Sequence, residues 1–496
     1  MEVVERLGEL LREAGFTGER HSALAGLPGG VPPPEVLQTA NRPEDARLAI
    51  LLKLFHNDET VAREAAEQAL RPLTIEDLEE AGLMETDAAG VHARMKVSVI
   101  DDLMVAGDAG ENRPADFVVD LSAAAVSVAG LTVRREIESA LDLGTGSGVH
   151  ALLAAQHADR VVGVDINRHA LSVARVGQRL NRIDNVSWLE GDWFEPVRGQ
   201  RFDLVVAAPP VVISPDNALL WRDSPIGGEA LSRQIVRESA DHLAEGGFAT
   251  LFCHWTHGAE GWEDPPREWV AGLGCDALIL NFRSRQPLSQ ALEGVTLAPG
   301  TEREAFADGV KRWMEHYGRA GIEQIAGGVV VLRRSSGPNW TRAFYLDHGT
   351  RRAGGDQLER IFAGTDFLTS HSGAEQLREL MSSAWQLVEG HRLDQALTYE
   401  NGAYEPGDAV MSQTPGIGLF ARVDPRVVPV VIACDGQRPL AEALTATPIP
   451  EGLDRSGFHS LCLATIKDLI ARGYLHRDAT PRGAPEAAVT AGAVGR

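Results

Sequence analysis

The segment ALDLGTGSGVHALLAA, residues Ala140–Ala155, decides the fold of this chain. Its apolar start predicts a buried strand. Gly144, Gly146 and Gly148 then predict a tight turn whose backbone can approach a ligand closely, and a helix is expected directly after the turn. A strand, a glycine-rich turn and a helix in this order are typical of α/β domains that bind a cofactor.

The next predicted strand, RVVGVDI, ends in an acidic residue, Asp165, which lies 21 residues after Gly144. A carboxylate at this point can accept hydrogen bonds from two ribose hydroxyls. A dinucleotide fingerprint would place a third glycine at position 149, but that residue is Val149. The spacing therefore favours a nucleoside cofactor other than a nicotinamide dinucleotide.

Strands and helices alternate between residues 114 and 336. This pattern predicts a Rossmann-like, doubly wound, mostly parallel α/β sheet of seven strands. The predicted strands are ALDLGTG, RVVGVDI, VSWLEGD, FDLVVAAPP, GGFATLFCHW, DALILNF and GGVVVLRRS. A hairpin-like connection between the last two would make one strand antiparallel.

The spacing G-x-G-x-G preceded by Asp142 resembles motif I of class I S-adenosylmethionine (SAM) dependent methyltransferases, and the likeness covers the central domain. It is nearest to the group with Asn-Pro-Pro-aromatic after the fourth strand, which includes release-factor glutamine and ribosomal RNA guanine-N2 methyltransferases, and to long actinobacterial relatives. The resemblance implies SAM as cofactor, with Asp192 at the adenine amino group and Trp193 at its ring. The residues it implies for the cofactor site are Asp142, Gly144, Thr145, Gly146, Gly148, Asp165, Ile166, Asp192, Trp193 and Ala208.

The segment AAPPVVIS departs from that group. Pro209 and Pro210 are retained, but Ala208 stands where the group has asparagine and Val211 where it has an aromatic residue. In the group, the asparagine oxygen and a proline carbonyl receive the amino hydrogens of the acceptor, and the ring stacks on it. Ala208 offers only its backbone carbonyl, so recognition of the acceptor must involve other residues.

Two nearby segments supply candidates for that role. FCHWTHG, after the fifth strand, offers His254 and His257 as general bases, because imidazole can take up a proton near neutral pH. NALLWRDSP follows the Pro-Pro pair and offers an aromatic ring and a positive charge. The predicted substrate-binding residues are Pro209, Pro210, Val211, Trp221, Arg222 and Trp255. The alternative for each is a structural role in a core or a lid.

Three functions stay open on the sequence. The first is O- or N-methylation of a small-molecule metabolite or peptide, as in natural-product biosynthesis. The second is N-methylation of an RNA base or a protein amide, and the third is SAM binding by a non-catalytic regulatory protein. A net charge of -23 repels polyanions, so a nucleic-acid substrate is less favoured than a small one.

Residues 1–113 are predicted to form a helical, winged-helix-like domain, with a helix cap at Thr74 and Asp77. Residues 114–336 form the methyltransferase-like domain, residues 337–482 an α+β domain with a winged-helix-like end, and residues 483–496 a disordered tail. A homodimer through a winged-helix-like end is a further prediction. No apolar run approaches the ~20 residues that cross a bilayer, and no signal peptide or metal motif is evident. The expectation is a cytoplasmic, bacterial protein.

Overall fold

The computed structural model describes residues 2–18, 43–110, 114–296, 303–346, 354–370, 373–400, 402–414 and 416–477. The chain divides into two compact units, residues 1–351 and 352–496, and each is described by itself. Within the described ranges, no helix is both long enough and apolar enough to span a membrane.

The first unit begins with helices and two small hairpins. Its elements are α1 (Glu2–Glu13), α2 (Pro43–Phe55), α3 (Arg63–Leu70), α4 (Ile75–Glu80), β1 (Met84–Thr86), β2 (Val91–Ala93), β3 (Met95–Ile100) and β4 (Leu103–Asp108). The predicted cap is confirmed, because the Thr74 hydroxyl accepts from the Asp77 amide while the Asp77 carboxylate accepts from the Thr74 amide. The winged-helix character of this region stays a prediction, as do the domain boundaries.

The central part of the first unit contains the large sheet. Its elements are α5 (Ala123–Leu131), β5 (Ile137–Leu143), α6 (Val149–Ala154), β6 (Ala158–Asp165), α7 (Arg168–Leu180), β7 (Val186–Glu190), β8 (Phe202–Ala207), α8 (Gly228–Asp241), β9 (Leu243–His257), α9 (Asp264–Val270), β10 (Cys275–Arg285), α10 (Pro287–Thr296), α11 (Arg303–Ala320), β11 (Gln324–Arg334) and β12 (Thr341–Tyr345). All seven predicted strands are present.

The sheet has eight strands in the order β12-β10-β11-β9-β8-β5-β6-β7. Strand β11 runs antiparallel to both neighbours, as predicted, and the other pairs are parallel. The mostly parallel, Rossmann-like fold class is thereby confirmed. The predicted strand number was wrong by one, because β12 lies past the predicted domain end. As an edge strand whose residues are all at least partly exposed, it carries no clear hydrophobic pattern.

This topology brings the functional segments together. Parallel strands all end at the same edge of a sheet, and ligands of open α/β sheets bind outside that edge. The glycine turn after β5, Asp165 at the end of β6 and the Pro-Pro pair after β8 therefore share one edge with the last residues of β9 and β10.

The N-terminal helices pack directly onto this sheet domain. Leu180, the last residue of α7, belongs to the hydrophobic core of the N-terminal helices. A Cβ at Gly8 of α1 would lie 2.1 Å from the Leu180 carbonyl oxygen, so only glycine permits this close approach. The Arg12 guanidinium donates a hydrogen bond of 2.7 Å to the same carbonyl.

The second unit is an α+β arrangement. Its elements are α12 (Gly355–Ser370), α13 (Gly373–Ser382), β13 (Ala384–Leu387), β14 (His391–Glu400), β15 (Ala403–Gln413), β16 (Ala421–Val423), α14 (Val428–Ile432), β17 (Asp435–Pro439), α15 (Leu440–Ala446), α16 (Arg455–Ala471) and β18 (Leu475–His476). The predicted short helices and terminal strand are present, whereas the long β14–β15 hairpin was not predicted. The predicted disordered tail lies outside the described residues.

We expect a pH-dependent stability from His150, which lies in α6 and is 5% exposed. Burial, together with the nearby Arg134, lowers its pKa to about 3. The unfolded chain therefore binds a proton that the folded chain excludes, so the stability present above pH ~6.5 is lost as the pH falls towards 3. On acidification from pH 7 to pH 5, His150 should lower the free energy of unfolding by about 2 kcal/mol.

Urea unfolding at pH 7 and pH 5 checks this expectation. The H150Q variant should lose less stability on acidification than the unmodified protein, whereas H391Q, at an exposed histidine of the second unit, should behave like the unmodified protein. An equal acid sensitivity of H150Q and the unmodified protein would contradict the assignment.

Candidate functional site

The glycine turn contains one position that is open to a ligand. Gly144, Gly146 and Gly148 have φ angles of 65°, 53° and 82°, in the left-handed region that glycine adopts readily. A Cβ at Gly148 would lie 2.8 Å from the Trp188 ring, so that glycine serves packing. A Cβ at Gly146 would meet no atom within 4 Å. The backbone at Gly146 therefore faces free space in which a ligand can lie.

Asp165 is fixed against this turn by backbone hydrogen bonds. Its carboxylate accepts from the Gly146 amide and from the Asn167 amide, each at 2.8 Å. Burial raises the pKa of this carboxyl group. Each oxygen keeps a further lone pair, so the carboxylate can still accept hydrogen bonds from a ligand's hydroxyl groups.

Asp142 carries a buried oxygen without a partner. One carboxylate oxygen accepts from the Thr145 hydroxyl at 2.5 Å and from the Ala151 amide at 2.9 Å, while the other makes no hydrogen bond to any described residue. Burial raises the pKa of Asp142 to about 7. A ligand that donates a proton or carries positive charge would satisfy the unpaired oxygen.

The other side of the turn presents an apolar and an acidic side chain to solvent. Ile166, directly after Asp165, is 61% exposed. Asp192 is exposed, and the half-buried Trp193 ring lies against Gly144. These features, with the open Gly146 backbone and the unpaired Asp142 oxygen, fit a nucleoside cofactor with a cationic tail, which is the chemistry of SAM.

Residues 114–122, here named the crossing segment, were missed by sequence reasoning. Their backbone carbonyls accept hydrogen bonds from three loops at the sheet edge: Ala115 from the Leu220 amide at 3.0 Å, Asp116 from the Asn167 side chain at 2.9 Å, and Asp120 from the Ser147 hydroxyl at 2.8 Å. The segment thus joins the glycine turn to the loop after β8. It lies at a predicted domain boundary and has no periodic pattern, so the sequence gives no signal for this role.

The Pro-Pro pair forms a tight turn after β8. The Val211 amide donates to the Pro209 carbonyl at 2.9 Å, and Ala208 and Pro210 remain partly exposed. Val211 is only 1% exposed and belongs to the core beneath α8, where a Cβ at Gly228 would lie 2.1 Å from its carbonyl oxygen. The predicted contact of the Val211 side chain with substrate is therefore wrong, since the turn directs it into the core.

Arg222 holds the loop after β8 in place instead of facing a substrate. It is 3% exposed, and its guanidinium donates to Asp223 at 2.8 and 3.0 Å and to the Gly294 carbonyl at 2.9 Å. The predicted substrate contact of Arg222 is wrong, because these partners use its donors internally. Trp221 is half-buried, and its indole nitrogen has no partner among the described residues, so it stays a candidate.

His254 lies within β9, because this strand continues past its predicted end to His257. Its ring is 9% exposed and lies near the Val211 carbonyl, yet Nδ1 makes no hydrogen bond of ordinary geometry with the described residues. Burial, followed by the charges of Arg283 and Arg285, lowers the pKa of His254 to about 4. The imidazole is therefore neutral at physiological pH and can take up a proton.

The other two candidates in this strand differ from His254. Both ring nitrogens of His257 have partners, the Gly258 carbonyl at 2.6 Å and the Ser284 hydroxyl at 2.8 Å. Trp255 is fully buried in the core, and its indole nitrogen donates to the Trp262 carbonyl at 2.6 Å. The predicted substrate contact of Trp255 is wrong, since alternate residues of β9 point to opposite faces and this one points away from His254.

Two parts of the first unit match known families. Residues 136–226 match a family described as a methyltransferase domain, and residues 1–94 match a domain of unknown function, DUF7059. A release factor glutamine methyltransferase from Aliivibrio fischeri is 32% identical over 126 residues, which is 25% of this chain and 41% of that protein. A ribosomal protein uL3 glutamine methyltransferase from Xanthomonas campestris is 34% identical over 131 residues, 24% and 42% of the two chains.

The chain spans less than half the length of these curated relatives. A solved methyltransferase from Pyrococcus furiosus aligns over 40% of this chain and 77% of its own, at 18% identity and a TM-score of 0.25. The family match confirms the predicted SAM-dependent methyltransferase domain and its resemblance to glutamine methyltransferases. Among the described residues, no group of three His, Cys, Asp or Glu side chains is placed to hold a metal ion.

The open position in the glycine turn gives a direct test of the cofactor site. Replacing Gly146 with Asp would place a second carboxylate beside Asp165 in the space left for the ligand. We expect SAM to bind G146D roughly 100-fold more weakly, about 2.7 kcal/mol, in isothermal titration calorimetry.

Gly199 provides the matched control. It also has a positive φ, 77°, and a Cβ there would meet no atom within 4 Å, but it lies in an exposed turn before β8. G199D carries the same backbone strain and the same charge, so it should keep the SAM affinity of the unmodified protein. Equal affinities of G146D and G199D would show that the turn does not hold the cofactor.

Proposed function

We propose that this chain is a SAM-dependent methyltransferase that acts on a nucleophilic oxygen or nitrogen of a small molecule or peptide. When bound, SAM supplies a methyl group on a positively charged sulfur. The observation that carries the proposal is the pairing of the open glycine turn with His254, a neutral imidazole whose Nδ1 makes no hydrogen bond of ordinary geometry among the described residues, beside the Pro-Pro turn at the same sheet edge.

The residues around the glycine turn would hold the cofactor. The Gly146 backbone leaves room for it, the Asp165 carboxylate would accept from ribose hydroxyls, and the unpaired Asp142 oxygen would face a cationic group. Ile166 and Trp193 would contact the adenine ring. The crossing segment would limit water access, since its carbonyls bridge the loops on both sides of the cofactor space.

His254 would take the proton that the acceptor loses as it is methylated. General bases within hydrogen-bond reach of the leaving proton typically contribute 10²- to 10⁴-fold to rate. Because the pKa of His254 is about 4, it needs no prior deprotonation at pH 5 to 8. Its weak basicity suits an acceptor that becomes strongly acidic only as the new bond forms, such as a hydroxyl group.

A second candidate is N-methylation of a protein amide. It is favoured by the relatives, which are named as methyltransferases of glutamine in a release factor and in ribosomal protein uL3. Ala208 at the Pro-Pro turn is partly exposed, and its backbone carbonyl could accept one amide hydrogen. It is the weaker candidate, because the asparagine that would direct the amide is absent. Cytoplasmic location and a homodimer belong to the proposal, and a nucleic-acid acceptor is less favoured on charge.

Transfer of labelled methyl from SAM into a fractionated cell extract separates these candidates. We expect label in the low-molecular-weight fraction, because the asparagine that directs an amide is missing. Label that appears in protein, and is found on glutamine after proteolysis, would replace the first candidate with the second. No label in any fraction would contradict both.

The role of His254 has its own kinetic signature. H254Q should lower kcat about 100-fold and leave the affinity for SAM unchanged, since the imidazole lies on the acceptor side. With the unmodified protein, kcat/KM should be flat from pH 5 to 8 as far as this group is concerned, and should fall only towards pH 4. Kinetics of H254Q and H257Q across this range measure both features. A larger loss in H257Q would transfer the role to His257.

A further inference from the structure

Two arginines at the end of β10 lie on the same face of the sheet as His254. Arg283 and His254 both pair with Gly327 of β11, one from each side. Directly opposed residues of antiparallel strands share a face, so Gly327 lies between the two side chains. A Cβ at Gly327 would lie 3.0 Å from Nε2 of His254, and the absence of a side chain keeps this space free.

Arg285 lies on the same face of the sheet, two residues further along β10 than Arg283. It pairs with Ile325 of β11, which pairs in turn with Thr256 of β9. A bulge between Asn281 and Arg283 shifts the register of β10 just before the two arginines. Bulges often redirect side chains beside active sites. Arg283 and Arg285, named here the arginine pair, are thus placed beside His254 by local strand geometry.

The arginine pair carries more positive charge than its surroundings neutralise. Burial lowers the pKa of both guanidinium groups, and burial with the charge of Arg283 lowers that of Arg285 to about 10. Among the described residues, Glu293 of α10 is the one acidic group that pairs with them. It contacts Arg285 and lies 3.7 Å from Arg283. The two arginines and Glu293 together therefore carry a net charge of +1.

Arg283 has unused hydrogen-bonding capacity. Its side chain is 53% exposed, and its guanidinium makes no hydrogen bond to any described residue beyond the long ion pair with Glu293. Arg222 offers the contrast within the same domain, because its guanidinium is held by Asp223, by the Gly294 carbonyl and by the ring of Trp313. A half-buried arginine that folding does not use, beside a neutral histidine, has the chemistry of an anion-binding group.

We propose that the arginine pair binds a carboxylate of the methyl acceptor and thereby places the acceptor beside His254. The inference rests on the proposed function and deepens it by naming the substrate class as a small carboxylic acid or a peptide with a free carboxylate. Arginine binds carboxylates through two parallel hydrogen bonds, which fixes orientation as well as position. Glu293 stays paired with Arg285, and the acceptor carboxylate binds the donors that Arg283 leaves unused.

The charge balance selects a carboxylate over a phosphate. A single carboxylate cancels the excess of one positive charge. A phosphate monoester carries about 1.5 to 2 negative charges and would leave the site negative. A nucleic acid would bring many more negative charges to a chain of net charge -23.

Fractionation of acceptor activity tests the substrate class. Small molecules of a cell extract are separated on an anion exchanger at pH 7 and offered to the full-length protein with labelled SAM. We expect label in retained material, with the acceptor surviving phosphatase and nuclease but lost after carbodiimide amidation of carboxylates. Label in unretained material alone, or an acceptor destroyed by phosphatase or nuclease, would overturn the inference while leaving methyl transfer intact. No label at all would overturn the proposed function itself.

Variants of the pair give a second readout on the retained acceptor fraction. R283Q and R285Q should each raise KM for this fraction about 10-fold or more, with KM for SAM unchanged. E293Q should act in the opposite direction and lower KM, because it removes a negative charge that repels the acceptor carboxylate. A merely structural role of Glu293 would not produce this gain. An unchanged or higher KM in E293Q, together with an unchanged KM in R283Q, would overturn the assignment.

Arg267 provides the matched control. It is a half-exposed arginine of α9, paired with Glu263, and it donates to the Thr341 carbonyl at the start of β12, on the opposite edge of the sheet. R267Q removes the same charge and should leave KM for the acceptor unchanged. An equal rise of KM in R267Q and R283Q would show that overall charge, and not this site, binds the acceptor.

Discussion

The hydrogen bond between the Gly146 amide and the Asp165 carboxylate is the contact on which the candidate site depends. It connects the ends of two neighbouring parallel strands, β5 and β6. The backbone hydrogen bonds of the sheet hold these strands side by side, and this side-chain contact fixes the turn after β5 against the end of β6. The turn must enter the left-handed region three times to reach this geometry, and glycine makes that possible without steric cost. The consequence is a carboxylate that is fixed before any ligand arrives, which lowers the ordering cost of binding.

The sheet edge is divided into two chemically different halves. Around β5, β6 and β7 the side chains are acidic, with Asp142, Asp165 and Asp192 near the glycine turn. At the end of β10 the arginine pair, with Glu293 beside it, leaves an excess of one positive charge. A cationic cofactor and an anionic acceptor would therefore each meet the opposite charge, and the neutral Pro-Pro turn lies between the two halves. Electrostatic complementarity of this kind favours orientation of both ligands more than raw affinity.

The sequence predicts the position of the glycine turn and Asp165 at the sheet edge better than it predicts the burial of the candidate acceptor-side residues, and the reason is physical. The glycine turn and Asp165 depend on backbone conformation and strand ends, which leave short local patterns in the sequence. The sequence also predicts Val211, Arg222 and Trp255 as substrate contacts. In the structure all three side chains are buried, because helices or neighbouring strands pack against them. Arg283 and Arg285 lie beside His254 because of the bulge in β10 and because β9 and β10 both pair with β11 at Gly327. No local pattern encodes such long-range pairing.

The alanine at position 208, where the group that this chain resembles has asparagine, and the proposed role of the arginine pair can be understood together. An asparagine holds an amide or amino acceptor through directed hydrogen bonds, and a protein without it must orient the acceptor by another group. A carboxylate bound by two arginines provides that orientation at a distance from the reacting atom, because binding energy from a remote group can position the reacting one. The Pro-Pro turn would then form one wall of the acceptor site without making specific hydrogen bonds to the acceptor. Under this proposal, the Pro-Pro turn needs neither the asparagine nor the aromatic residue that the resembling group has beside it.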